Sequence, residues 1–151
     1  MIVQDLTHLQ IDDFLARASY GRIACESEGQ PYIACVSLCA ESCFLYGFAL
    51  SGQKIRLMRA NPRVCVEFDE IKSVRDWTTV IVTGVYEELT DTPQYRAERE
   101  HAYALLKRRA MWWEPAAAER QPQAGPAANV YFRIRMDRMT GRRGASDTPG
   151  G

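Results

Sequence analysis

A serine, a glycine and a lysine in the run Ser51-Gly52-Gln53-Lys54 are the residues of this sequence best suited to hold an anion. A strand-like stretch, 44–50, ends there, a hydroxyl and a glycine make the turn, and the lysine falls in the opening turn of a helix-like stretch, 52–60. At such a junction free backbone amides and the positive end of the helix dipole point outward, and glycine lets an anion come close to the main chain. Ser51 would donate a hydrogen bond and Lys54 a full charge, which is the chemistry of a phosphate cradle. The same residues also describe a capped surface helix with a solvated lysine, and spacing alone does not choose between the two.

Other chemistry is thinly supported. Cys35, Cys39 and Cys43 recur every four residues, but they lack the two-residue separation of a zinc knuckle and have no histidine nearby. The two histidines, His8 and His101, both fall in helical segments, and His101 sits in a charged helix as a surface residue would. Arg59 and Arg63 flank Asn61-Pro62 at a helix end, where charged pairs are usually solvated. Glu87-Glu88 reads as an exposed strand end, and no serine has a basic partner at a spacing that suggests hydrolysis. Trp112 and Trp113 read as core or interface anchors that could also roof a pocket.

The elements that must position the Ser51–Lys54 turn are short and mostly β. Thr7 and Gln10 form a capping box for a helix with Ile11, Phe14, Leu15 and Ala18 on one face, and Gly21 is a natural stop. Strands are expected over 22–27, 32–38 and 44–50, the first two as a hairpin about Glu28-Gly29-Gln30-Pro31. After the 52–60 helix come strands 63–69 and 78–89, joined by a polar connection. Val64, Val66 and Phe68 line one side of the first, Val80, Val82 and Val85 line the second, and Gly84 marks a bulge or close approach. A third helix should begin at Thr92-Pro93 and run to about Trp112, followed by an aperiodic loop over 115–128. A last strand, 129–136, alternates Val130, Phe132 and Ile134 with Tyr131, Arg133 and Arg135, and the chain from Gly141 onward reads as a mobile tail.

Length and composition agree with one domain, residues 1–141, followed by the tail 142–151. The 151 residues are 46% hydrophobic, ordinary for a globular protein. Nineteen basic residues balance nineteen acidic ones, so there is no overall field to draw the chain to nucleic acid or an anionic membrane. Apolar runs are too short to span a bilayer, and five cysteines, an odd number, argue against a disulfide scaffold; the expectation is a cytoplasmic protein. Six strands with three inserted helices fit a small, mainly antiparallel β-barrel better than a βαβ sheet.

The run 45–67, with Tyr46-Gly47-Phe48, Ser51-Gly52-Gln53-Lys54-Ile55 and Arg59-Ala60-Asn61-Pro62-Arg63-Val64, resembles the pyridoxamine 5′-phosphate oxidase-like flavin-binding split barrels. It is most similar to the branch that includes the nitroimidazole-resistance proteins. Three further pieces agree in order and spacing: Phe14-Leu15 to Ala24, Asp76-Trp77-Thr78-Thr79-Val80 through Leu89, and Trp112-Trp113-Glu114-Pro115 ahead of Met139-Thr140-Gly141-Arg142. The likeness covers residues 9–142.

That resemblance implies a six-stranded split barrel, mainly β with inserted helices, working as a homodimer with flavin mononucleotide (FMN) in the groove between subunits. Ser51, Gly52 and Lys54 would hold the phosphate, the strand carrying Val36 and Ser37 would lie along the isoalloxazine, and Tyr46, Phe48 and Ala49 would flank the ribityl chain. Trp77 and Thr79 match a tryptophan and a hydroxyl near the cofactor, supplied by the partner subunit; Thr79 stands where the family more often has serine. The region of Gly47-Phe48 carries no histidine such as some nitroimidazole-resistance relatives have. The final strand lacks the arginine and histidine pattern of true pyridoxamine phosphate oxidases, so Arg133 and Arg135 receive no substrate role. The implied activity is flavin-dependent reduction of a small organic acceptor. A non-catalytic flavin-binding or redox-sensing module, or haem or deazaflavin on the same barrel, are the alternatives.

Overall fold

A computed structural model describes residues 1–108 and 129–146. Seven strands are present among them: β1 (Ile2–Asp5), β2 (Tyr20–Ser27), β3 (Gln30–Glu41), β4 (Phe44–Leu50), β5 (Arg63–Ser73), β6 (Asp76–Leu89) and β7 (Asn129–Ala145). Three helices interrupt them: α1 (His8–Arg17), α2 (Gln53–Ala60) and α3 (Arg96–Lys107). The strands lie in the order β1-β7-β4-β3-β2-β5-β6, all pairings are antiparallel, and β6 pairs back onto β7. Strands β2 to β7 therefore close a six-stranded ring, and β1 is an addition on one edge of β7. That edge is shared: Asn129 to Arg135 pair with β4 and Arg142 to Ala145 with β1, leaving the barrel split between them.

Local chemistry accounts for most of these elements. The capping box forms as expected, with Thr7 N donating to Gln10 Oε1 at 2.9 Å and Gln10 N donating to Thr7 Oγ1 at 3.3 Å. The β2–β3 turn puts both Glu28 (φ 55°) and Gly29 (φ 79°) in the left-handed region, which matches the twist of the two strands it joins. Gly84 sits where the β6–β7 register shifts, and a Cβ there would run into Arg135 O.

Alternation sends side chains to two cores. Ile23, Val36, Leu38, Leu45, Val64, Val66, Phe68, Val80, Val82, Phe132 and Ile134 fill the barrel, joined by Ile11, Phe14 and Leu15 of α1 and by Ile55 and Met58 of α2. A smaller core lies outside the barrel, where Ala102, Leu105 and Leu106 of α3 cover Cys39, Tyr46, Phe48 and Leu89. Each large side chain so enclosed contributes about 1.5–3 kcal/mol.

Several expectations need correction. Gly21 does not stop α1, which ends at the cap residue Ala18; it lies inside β2, where a Cβ would meet Phe68 Cε1 at 2.8 Å. Val85 does not line the barrel, because the strand's period of two sends Val80, Val82 and Tyr86 inward and Val85 out. The third helix starts at Arg96 rather than Thr92-Pro93, where Tyr95 N donates to Thr92 O in a turn. The 63–69 and 78–89 strands extend into one hairpin through Ser73 and Asp76. The chain beyond Gly141 is no tail as far as Ala145: it is the end of β7, pairing on both edges, and β1 had no counterpart in the sequence reading. Trp112, Trp113, the 115–128 loop and the last five residues lie outside the described residues. Among the described residues no helix is long and apolar enough to cross a membrane.

Candidate functional site

Strand β4 ends at Leu50, and the chain turns through Ser51 and Gly52 into α2. Gly52 is the N-cap and makes no side-chain capping bond; Arg56 N donates to its carbonyl at 3.1 Å. Ser51 and Gly52 are exposed and Lys54 is half-buried. Among the described residues a Cβ at Gly52 would meet only Leu50 O, at 3.8 Å. The turn thus presents a hydroxyl and the amides at the head of α2 on one accessible bend, with the half-buried Lys54 in the opening turn of the helix, a set of groups suited to an anion.

Ser37 lies next to this region, paired with Phe48 across β3–β4. It is 1% exposed, and its Oγ has no hydrogen-bond partner among the described residues. Leaving a buried hydroxyl unmet costs about 1–3 kcal/mol. A ligand lying along β3 would supply the missing bond, and the residues fit a flavin in that respect. Val36 and Ala49 send their side chains into the barrel, while Tyr46 and Phe48 are packed beneath α3, so these four side chains are committed to the two cores. Burial raises the Tyr46 phenol above its ordinary range, with Arg133 partly opposing.

Trp77 and Thr79 are not beside the Ser51–Lys54 turn in the same chain. Thr79 pairs with Arg142 on β7, whereas Ala49 pairs with Val130, twelve residues earlier. That interval is about 40 Å of strand contour. Trp77 lies over Gly144, and Thr79 opens onto a groove of about 690 Å³ lined by Ile81, Thr140, Arg142, Asp5 and His8. Arg142 and the groove received no role from the sequence, although Met139-Thr140-Gly141-Arg142 had been singled out as a motif.

Two ion-pair networks flank these places. At the far end of α2, Arg59 grips Glu88 of β6 through Nε and Nη2 at 2.8 and 3.0 Å, and Tyr86 Oη donates to the same carboxylate at 2.7 Å. Burial works to raise the Glu88 carboxyl, but the hydrogen bonds from Arg59 and Tyr86 outweigh it and hold it below the usual range. Burial and the bond to Glu88 push the Tyr86 phenol up. On the outer face, Arg22 meets Asp69 at 2.7 Å and Glu67 at 3.3 Å, and burial together with the neighbouring Asp69 raises the Glu67 carboxyl. Arg59, read as solvated, is thus engaged; a long-range partner for it was invisible because Glu88 lies 29 residues away.

The Cys35–Cys39–Cys43 spacing does not make a cluster. Cys39 is buried under α3, Cys35 is exposed on the sheet and Cys43 is exposed in the β3–β4 turn.

A six-stranded antiparallel barrel, split along one edge and carrying an anion-ready turn between β4 and α2, defines the class of this protein. A sequence model of the pyridoxamine 5′-phosphate oxidase family matches residues 7–143. Protein RA0666 of Rhizobium meliloti (strain 1021) is 38% identical over 144 residues, 94% of this chain and 95% of its own. The crystal structure of a FAD-binding protein from Mesorhizobium loti superposes with a TM-score of 0.80 at 38% identity, covering 96% of this chain and 100% of that one. A candidate 5-nitroimidazole antibiotic resistance protein from Bacteroides thetaiotaomicron shares the fold, with a TM-score of 0.68 at 19% identity over 95% of this chain and 89% of its own. The chain belongs to the pyridoxamine 5′-phosphate oxidase family.

Proposed function

We propose that this protein binds a flavin nucleotide, FMN in the first instance, with its phosphate at Ser51, Gly52 and Lys54 and its ring along β3 at Val36 and Ser37. The observation that carries this reading is the Ser37 hydroxyl, enclosed and without a partner among the described residues, paired across the ladder with Phe48 three residues ahead of the Ser51–Gly52 turn. The Mesorhizobium loti relative named as FAD-binding supports a flavin, and FMN is the half that FAD shares. Bound flavin supplies hydride and single-electron transfer. The chain's own task is to hold the phosphate, orient the ring and cover it with apolar surface, and the activity we infer is reduction of a small organic acceptor in the cytoplasm.

The site is completed by a second copy. Trp77 and Thr79 are about 40 Å of strand contour from the phosphate turn in their own chain, which supports a partner's bringing them to it. Between the two groups runs an outward face in register across four strands, Ile33, Ala24, Cys65 and Thr83, then Cys35, Arg22, Glu67 and Ile81. Ile33 and Ile81 are 63% and 48% exposed there, which suits a homodimer contact.

An absorption spectrum of the purified chain, followed by titration with FMN, FAD and haem, tests the reading. Flavin bands at one equivalent per chain support it, a haem Soret band replaces the cofactor, and failure to take up flavin in excess overturns it. Steady-state oxidation of a reduced nicotinamide by the loaded protein separates an enzyme from a passive carrier.

A further inference from the structure

We propose that Arg59 and Glu88 are positioning residues for the phosphate end of the site, acting through the rigid body of α2 from its opposite terminus. This rests on the reading that Ser51, Gly52 and Lys54 hold a flavin phosphate. Helix α2 has eight residues, about 12 Å in length, too short to be stable or to keep its direction by itself. Ile55 and Met58, both 0% exposed, anchor its middle in the barrel. Apolar contacts of this kind fix depth but leave tilt weakly specified, because they have no direction. Direction comes from the carboxyl-terminal end. There Arg59 makes its two-pronged bond to Glu88, Tyr86 Oη holds the same carboxylate, Asn61 Nδ2 donates to Glu26 O at 2.9 Å, and Tyr86 N donates to Pro62 O at 2.8 Å.

Planar guanidinium–carboxylate pairing constrains angle as well as distance. With the pair lost, Ile55, Met58 and the bonds at Asn61 and Pro62 remain but the helix is freer to tilt, and a tilt of about 5° moves a point 12 Å away by about 1 Å, enough to spoil hydrogen bonds that weaken steeply with geometry. Neither Arg59 nor Glu88 needs to touch the ligand.

The test compares FMN with riboflavin, which has the same ring and no phosphate. Dissociation constants of both are measured for the full-length chain, for Lys54→Ala, for Arg59→Met, for the milder Glu88→Gln, and for the swap Arg59→Glu with Glu88→Arg. The proposal expects Arg59→Met and Glu88→Gln each to lower the preference for FMN over riboflavin by about tenfold, one hydrogen bond's worth, and the swap to restore part of it. Equal weakening of both ligands, or an unchanged preference, overturns it. If Arg59→Met does not fold, Glu88→Gln, which keeps shape and removes charge, decides. Should Lys54→Ala leave the preference intact, the phosphate placement itself is wrong; should Lys54→Ala abolish it while the clamp variants do not, only the positioning role fails.

Discussion

The indole of Trp77 lies close over Gly144: a Cβ on that glycine would stand 2.6 Å from both Nε1 and Cε2 of the ring. The strand pairing places the two residues opposite each other on β6 and β7, and no other residue type leaves room for the ring there. The seat of Trp77 therefore depends on the glycine near the end of β7.

Gly144→Ala is expected to push the indole off the strand while leaving the fold intact. The ring is partly exposed and can swing, so the stability cost should stay within about 1 kcal/mol. Tryptophan fluorescence should shift, and the shift should vanish in a Trp77→Phe background. On the proposed function flavin affinity falls as well; an unmoved indole and unmoved affinity would remove Trp77 from the site.

Gly84→Ala should be far more costly. Its missing side chain is replaced by the carbonyl of Arg135 and by Ile134 Cγ2 at 2.8 Å, and backbone cannot step aside as the end of a side chain can. The register shift of the β6–β7 ladder at Thr83/Gly84 depends on that approach. A loss of about 2–3 kcal/mol in urea unfolding is expected, against less than about 0.5 kcal/mol for an exposed alanine substitution such as Asp12→Ala.

What the sequence could carry was local. The capping box at Thr7 and Gln10, the hairpin at Glu28-Gly29 and the inward runs of β5 and β7 are legible because propensity and period act within a few residues. Strand β1 was missed because four exposed residues have no amphipathic pattern, and only pairing with Arg142 to Ala145 makes them a strand. The same pairing turned an expected tail into sheet. In the site, Ser51, Gly52 and Lys54 were legible as a turn feeding a helix. The isolation of Ser37 and the Arg59–Glu88 clamp were not, since burial and partners 29 residues apart arise only when the barrel closes.

The pH dependence of stability should show two carboxylates working in opposite directions. Glu88 is held below its ordinary pKa in the folded chain, so its contribution is present above the unfolded carboxylate pKa and is lost as pH falls through the folded one. Glu88→Gln is therefore expected to cost about 1 kcal/mol at pH 7, a low figure because Arg59 is half exposed, with the gap to wild type closing toward pH 3. Glu67 is raised by burial and by Asp69, so its favourable contribution belongs to low pH and is lost as pH rises through its folded pKa. Glu67→Gln should be at least as stable as wild type at pH 7 and lose that advantage as pH falls. Chemical unfolding between pH 3 and pH 8 reads both; parallel curves for the two variants would contradict these assignments.

Ile81→Lys should separate the copies without disturbing the barrel. The side chain is 48% exposed on the outward side of β6, flanked across the ladder by Glu67 on β5 and by Thr140 on β7, while its neighbours Val80 and Val82 fill the interior. A lysine there keeps its stem on the sheet and its charge in water in a single chain, so the unfolding midpoint of an isolated subunit should change little. Across a two-fold contact the same charge would face a copy of itself or lose its water, with only Glu67, already paired with Arg22, in reach, which costs several kcal/mol. Sedimentation at micromolar concentration is expected to give a dimer for the wild type and a monomer for Ile81→Lys. On the proposed function, in which the partner brings Trp77 and Thr79 to the phosphate turn, the monomer should also bind FMN at least tenfold more weakly. A variant that stays dimeric would take Ile81 out of the contact, and a monomer that binds flavin as tightly as before would place the cofactor within one chain and sink the shared site.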